Sequence, residues 1–312
     1  MRHDVSIILS SYLSDNHIEN YFNNIKALIN VASIQLVHIL NDPTKKEISF
    51  KDKFENFQLS SGKNFFEYKY LVVKRETLYS SWNRAIKLSD SRLITISNVD
   101  DVRYPDGLKA QISAFNKCKK MFLLGSNFKI KTENGLVSKN IGNKKKIRKN
   151  DLYSGMYLGP FFMWTNPIYM GKKHQLFDEQ FSVAGDFDFQ IRFAAFGTVK
   201  ILEKEIGEYY NNNTGLSTNS IFQLIEGQVI YHRYNIVDKK ITFFPLFFFK
   251  NYYSQFFCKI ESIKYSIEQI CPEFKVIKLI NSKRRKNIYS YLMDYLNLIK
   301  TIIKFYILKI RY

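Results

Sequence analysis

Residues 5–40 place the tightest constraint on what this chain can fold into. Residues 5–9 (VSIIL) are a β-branched and aliphatic run without polar alternation, the pattern of a strand covered on both faces. Across residues 16–31, Ile18, Tyr21, Phe22, Ile25, Leu28 and Ile29 recur at helical spacing, with Ser14 or Asp15 available as N-cap. A second uninterrupted apolar run, residues 34–40, closes on the turn Asn41, Asp42, Pro43. Strand, helix and strand in this order make a right-handed parallel crossover, so an α/β fold is expected.

The alternation continues. Residues 70–74 read as a strand, 79–88 as a helix with Trp82, Ala85, Ile86 and Leu88 on its apolar face, and 93–97 as another buried strand. That last strand runs directly into Asn98, Val99, Asp100 and Asp101, after which Pro105 starts a helix over 106–118. Acidic residues therefore sit at the carboxyl end of a central strand, where open α/β sheets place their ligands. Residues 131–150 are polar and basic and are expected to form an exposed loop or hairpin. Residues 155–192 are rich in aromatics and glycine, and the helix predicted over 187–196 starts just after Gly185 and Asp186.

Charge is unevenly spread. The chain has 47 Lys plus Arg against 28 Asp plus Glu, a net of +19, and the last 82 residues alone carry +11. An anionic partner is expected: a nucleotide, a nucleic acid or an acidic membrane surface. In the tail, residues 241–257 are aromatic, 283–286 read KRRK, and 289–312 have a helical period with separate polar and apolar faces. Such helices bind anionic membrane interfaces. No run of the length and apolarity of a transmembrane helix is present, and residues 5–9 are too short for a signal-peptide core. Cys118, Cys258 and Cys271 share no metal-ligand spacing and are odd in number, which fits a reducing, cytoplasmic compartment, with the tail at the inner face of the cell membrane.

Three aspartates carry the chemistry. Asp100 and Asp101 are adjacent carboxylates that repel each other unless a cation or protons compensate them. Mg²⁺ or Mn²⁺, which takes oxygen ligands and commonly combines one or two carboxylates with substrate phosphates, is the natural compensation. The third, Asp186, stands in VAGDFDF (183–189) at a helix start, where an N-cap role is the plain structural reading.

Over residues 5–217 the chain resembles the glycosyltransferases of family 2, enzymes of GT-A fold. VSIILSSY (5–12) is similar to the family's first strand and its nucleotide-facing end, which implies donor contacts at Ser11 and Tyr12. LNDPT (40–44) resembles the acidic turn after the second strand and puts Asp42 opposite the base. YSSWNRAI (79–86) resembles the helix whose Asn, here Asn83, contacts the donor, with Arg84 beside it. ITISNVDDVRYPDGL (94–108) resembles the acidic metal motif, making Asp100 a ribose or phosphate contact and Asp101 the metal ligand. FDEQFSVAGDFDFQIR (177–192) resembles the acceptor-side segment in which the aspartate after glycine is the catalytic base, here Asp186, with Asp188 and Trp164 on the acceptor side. The chain departs from the family in lacking Asp-Gly-Ser at the second-strand turn, in placing Asn98 where many members have an acid, and in having no histidine in YYNNNTGLS (209–217); His232 is a weak substitute.

The resemblance implies a mostly parallel, Rossmann-like sheet flanked by helices over residues 1–230, with a nucleotide-sugar half (1–120) and an acceptor half (121–230), followed by a basic helical extension (231–312). It further implies a Mn²⁺- or Mg²⁺-dependent, inverting transfer of a sugar from a UDP-sugar, with GDP or dTDP as other donors, to a glycan or lipid-linked acceptor. The competing expectation is a polyanion-binding protein with a non-catalytic domain; no nucleic-acid-binding motif supports it. Nucleotidyl transfer ranks lower, because no glycine-rich, lysine-bearing phosphate loop is present near residue 10.

Overall fold

The computed structural model describes residues 3–118, 121–132, 135–141, 147, 157–170, 176–210, 226 and 230. The chain divides into two units, Met1–Gln223 and Leu224–Tyr312, and every strand and helix below belongs to the first. The basic tail, the KRRK cluster, the helix expected over 289–312, His232, Cys258, Cys271 and the 211–217 loop lie outside the described residues.

The opening unit forms as expected: β1 (Val5–Ser11), α1 (Ile18–Leu28) and β2 (Ile34–Asn41), with β1 parallel to β2. His17, not Ser14 or Asp15, stands at the N-cap position of helix α1, and its side chain makes no capping bond. Those two side chains turn instead to the next helix, Ser14 donating to Glu47 at 2.5 Å and Asp15 accepting from Thr44. That helix, α2 (Lys45–Ser61), is not predicted by the apolar spacing. Its apolar positions are sparse, only Phe50 and Phe54 being buried hydrophobics, but Thr44 and Glu47 form a capping box that marks its start.

Next come β3 (Phe66–Val73), α3 (Leu78–Leu88), β4 (Leu93–Ile96), β5 (Val102–Arg103), α4 (Pro105–Lys117), β6 (Met121–Thr132) and β7 (Gly135–Lys139). The described part closes with β8 (Met163–Thr165), a 3₁₀ turn (Pro167–Met170), α5 (Gly185–Ala194) and β9 (Thr198–Tyr210). Strand β3 begins four residues earlier than expected, with Phe66 and Tyr68 pointing into the core. The segment expected as an exposed loop or hairpin is a hairpin in part: β7 pairs antiparallel with β6 and is exposed throughout.

All strands join one sheet in the order β3-β2-β1-β4-β8-β6-β9-β5, with β7 on β6. The first four are parallel; β8 enters antiparallel between β4 and β6; β9 runs parallel to β6. Odd-numbered Val5, Ile7 and Leu9 pack with Ile18, Ile25, Phe50, Phe54, Leu108 and Phe115 of α1, α2 and α4. An aromatic cluster links α3 to α5: Phe177 stacks on Phe189 at 4.3 Å between centroids and contacts Tyr79, Trp82 and Trp164. Gly107 permits the docking of α4 on β9, since a Cβ there would lie 2.6 Å from Ile206 Cα. In this order β1 and β4 are neighbours whose crossovers diverge, so their carboxyl ends open the crevice that binds ligands in doubly wound sheets.

Candidate functional site

Strand β4 stops at Ile96 and hands its last backbone bond, Ser97 N to Ile8 O at 3.0 Å, to β1 before the chain turns through Asn98–Asp101. The turn delivers Asp100 and Asp101 to a cleft of about 270 Å³ lined also by Asn16, His17, Tyr21, Lys131, Glu208 and Tyr210. Asp101 is 3% exposed. Its Oδ1 accepts from Tyr210 N at 3.0 Å and its Oδ2 from Asn98 Nδ2 at 2.9 Å. Asn98 therefore orients the carboxylate that follows it, a reason for an amide where an acid was expected.

Burial, with the adjacent Asp100 charge second, pushes the Asp101 carboxyl well above the usual range. Burial also raises Asp100, against the pull of His17. Behind the turn lies Arg103, wholly buried, which donates to Gln111 Oε1 at 2.7 Å, Thr95 Oγ1 at 2.8 Å and Ile96 O at 2.9 Å. Its field eases Asp101, but its donors go to neutral acceptors. The acidic pair is thus under-compensated, as a cation site should be. An ionised carboxylate has about four acceptor positions, so two remain on Asp101 for a metal. Among the described residues no three His, Cys, Asp or Glu side chains converge as metal ligands. An ion here would draw its other oxygens from substrate and water, the habit of Mg²⁺ and Mn²⁺ in phosphate sites.

Asp186 lies in the first turn of α5, with Ala184 as N-cap, so its side chain does not cap the helix. Tyr157 Oη donates to Oδ2 at 2.5 Å, and Phe187 N donates to Oδ1 at 2.9 Å. Helix α3 reaches the same point: Gly185 N donates to Tyr79 Oη at 2.9 Å, and a Cβ on Gly185 would lie 2.7 Å from the Tyr79 ring. Burial raises the Asp186 carboxyl from its ordinary value, while the Tyr157, Phe187 and Tyr79 contacts pull it back. The end of β9 reaches the acidic turn directly, the Tyr210 backbone amide bonding Asp101.

Other expected contacts fall differently. Tyr12 and Asp42 stand exposed at the carboxyl ends of β1 and β2, Tyr12 under the Arg75 guanidinium at 3.3 Å and Asp42 in the left-handed region at φ 51°. Arg84 sits half-exposed and pairs with Glu76 at 2.8 Å. Ser11 is fully buried and its hydroxyl meets His38 Nε2 at 2.8 Å, inside the sheet layer. Asn83 is a structural clasp, its amide spanning Phe177 O at 2.9 Å, Phe177 N at 2.8 Å and Glu179 at 2.8 Å and so fastening the segment before α5.

Two acceptor-side expectations are corrected. Trp164 is 0% exposed within the aromatic cluster and offers no face to a sugar. Asp188 is equally buried and receives Arg192 Nε at 2.7 Å, while Arg192 Nη2 donates to Leu176 O at 2.7 Å. Sequence reasoning missed Tyr157, His17 and Tyr210. Nothing in the spacing marks the first, and the other two come to the cleft only through α1 and β9 meeting there.

No protein-family model and no curated protein matches this sequence. Solved structures do. Residues 1–349 of Staphylococcus aureus TarS, in complex with UDP-GlcNAc, superpose at a TM-score of 0.58 with 14% identity over 74% of this chain. The mannosyltransferase PcManGT from Pyrobaculum calidifontis, in complex with GDP-Man and Mn²⁺, gives 0.55 with 12% identity over 76%. The chain spans 65% of each of those two structures and 39% of a longer TarS structure. With the 3-2-1-4 parallel order, the antiparallel β8 and the acidic turn after β4, this backbone likeness establishes that the chain has the GT-A fold.

Proposed function

We propose that this chain is a metal-dependent, inverting glycosyltransferase that moves a sugar from a nucleoside-diphosphate donor to a hydroxyl of a glycan or lipid-linked glycan. The observation that carries the reading is the under-compensated Asp100 and Asp101 pair in the cleft at the carboxyl end of β4 of a GT-A sheet; Asp186, whose carboxyl is raised by burial, is the proposed base. Structural neighbours bind UDP-GlcNAc and GDP-Man, and one of them Mn²⁺; a UDP-sugar is the preferred donor.

Asp101, with Asp100 beside it, would hold the divalent cation. When bound, such an ion supplies positive charge to the departing diphosphate. The protein's own residues do the rest. Asn98 and the Tyr210 amide fix the Asp101 carboxylate, and Arg103 adds a buried positive field behind it. Tyr12 and Asp42, exposed at the carboxyl ends of β1 and β2, and the half-exposed Arg84 are the proposed contacts for the nucleotide. Asp186 accepts the proton from the acceptor hydroxyl as that oxygen bonds the anomeric carbon and the bond to the diphosphate breaks on the opposite face. Burial suits this role, since a carboxylate of raised pKa holds the proton more firmly near neutrality.

Membrane association of residues 231–312 belongs to the same reading and would place the enzyme at its lipid-linked acceptor; among the described residues no helix is long and apolar enough to cross a membrane. The test is release of nucleoside diphosphate from UDP-GlcNAc and GDP-mannose with Mn²⁺, using water as acceptor. Asp186→Asn should slow it by about 10²-fold or more. Equal turnover in that variant would remove Asp186 from the base role.

A further inference from the structure

Two tyrosines from different parts of the chain meet at Asp186. Tyr157, which precedes β8, donates its hydroxyl to Oδ2 at 2.5 Å, and the backbone Phe187 N holds Oδ1 at 2.9 Å. Tyr79 on α3 accepts Gly185 N at 2.9 Å and fixes the backbone that carries the carboxylate. Both oxygens are therefore held from fixed points in the fold. Tyr157 as a residue is 37% exposed, and its hydroxyl is committed to one carboxylate oxygen.

Other charged and titratable groups nearby are accounted for. On α5, Asp188 and Arg192 are engaged with each other at 2.7 Å. From α3, the Tyr79 side chain also contacts the Asp186 carboxyl and eases it, less strongly than Tyr157 does. No Lys or Arg forms an ion pair with Asp186 among the described residues. The Tyr157 hydroxyl is thus its principal side-chain donor.

We propose that Tyr157 is a positioning residue for Asp186, holding one carboxylate oxygen so that the remaining lone pairs face the incoming hydroxyl and the group stays ionised until that hydroxyl arrives. This rests on Asp186 acting as the base. A donor to a carboxylate favours its charged form, so without Tyr157 the carboxyl should protonate at higher pH, and its side chain should turn about the Cβ–Cγ bond.

Tyr157→Phe keeps the ring and removes only the hydroxyl. In full-length protein labelled with ¹³C at the aspartate carboxyl, wild type, Tyr157→Phe and Asp186→Asn are titrated by NMR, the last to assign the resonance. The Asp186 midpoint should rise by about one pH unit in Tyr157→Phe, the value of a hydrogen bond to a charged group. The acid limb of Mn²⁺-dependent UDP-GlcNAc hydrolysis should move with it, lowering kcat below the limb and leaving KM for the donor unchanged. A midpoint within about 0.3 unit of wild type would overturn the proposal. Loss of turnover in Asp186→Asn with an unmoved profile in Tyr157→Phe sinks the positioning role alone. Full turnover in Asp186→Asn sinks the base assignment and the positioning role with it.

Discussion

Replacing Asp101 by Asn should make the metal-free protein more stable while abolishing its response to metal. The buried carboxylate stands beside Asp100 and is raised by desolvation and by that neighbour. Full burial moves a carboxylate by up to about 3–5 units, and each unit is about 1.4 kcal/mol of folding energy lost to keeping the group ionised. The sign follows from proton binding. A raised folded pKa means the native state binds more protons than the unfolded chain, so stability falls as pH climbs from the ordinary Asp value near 4 through the raised one. The amide carries no charge, still accepts from Tyr210 N through its oxygen, and can meet Asn98 if that amide turns over. Arg103 loses a favourable field but keeps Gln111, Thr95 and Ile96 as acceptors.

A net relief of about 2 kcal/mol is reasonable after that loss, and for a domain of this size it corresponds to a rise in Tm of about 4–8 °C. Scanning calorimetry in EDTA at pH 8 should show this rise, and at pH 4 the two proteins should melt together because the wild-type carboxyl is then neutral. Mn²⁺ with a nucleoside diphosphate should raise the wild type and leave the variant unmoved. An Asp101→Asn protein that melts below wild type at pH 8 in EDTA would refute this reasoning, since the carboxylate would then be a structural acceptor rather than a strained ligand.

Trp164→Ala should cost about 3–5 kcal/mol, read by denaturant unfolding, because the indole is fully enclosed by Phe162, Phe177 and Phe189; a sugar platform would instead show a raised acceptor KM with little change in stability. Gly107→Ala should destabilise by about 1–3 kcal/mol, since a Cβ would lie 2.6 Å from Ile206 Cα and the α4–β9 contact must open; unchanged chemical denaturation would show that α4 is free to shift.

The strands were legible where apolar runs are short and uninterrupted: β1, β2 and β4 fall within a residue or two of their expected limits. Helix α2 was not, because few of its residues are buried and its surface is charged along most of its length. Nor was the antiparallel entry of β8, three residues whose place is set by Asn166 and Thr95 bonds to distant backbone. In the site, the Asp100 and Asp101 turn was readable because proximity along the chain is proximity in space. The burial of Trp164 and Asp188, and the bonds of Asn83 to Phe177 and Glu179, were not readable for the opposite reason: polarity and aromaticity are visible in the sequence, and contacts such as Asn83 to Phe177, 94 positions away, are not. Tyr157 illustrates the same limit, since its bond to Asp186 spans 29 residues and two elements.

The most direct measurement is calorimetric titration of the full-length protein with UDP and with GDP, each in Mn²⁺, in Mg²⁺ and in EDTA, repeated on Asp101→Asn. One nucleoside diphosphate should bind only when a divalent ion is present, and the variant should lose that binding. Equal binding in EDTA, or binding that survives in Asp101→Asn, would contradict the assignment of the acidic pair as the site where donor and cation meet.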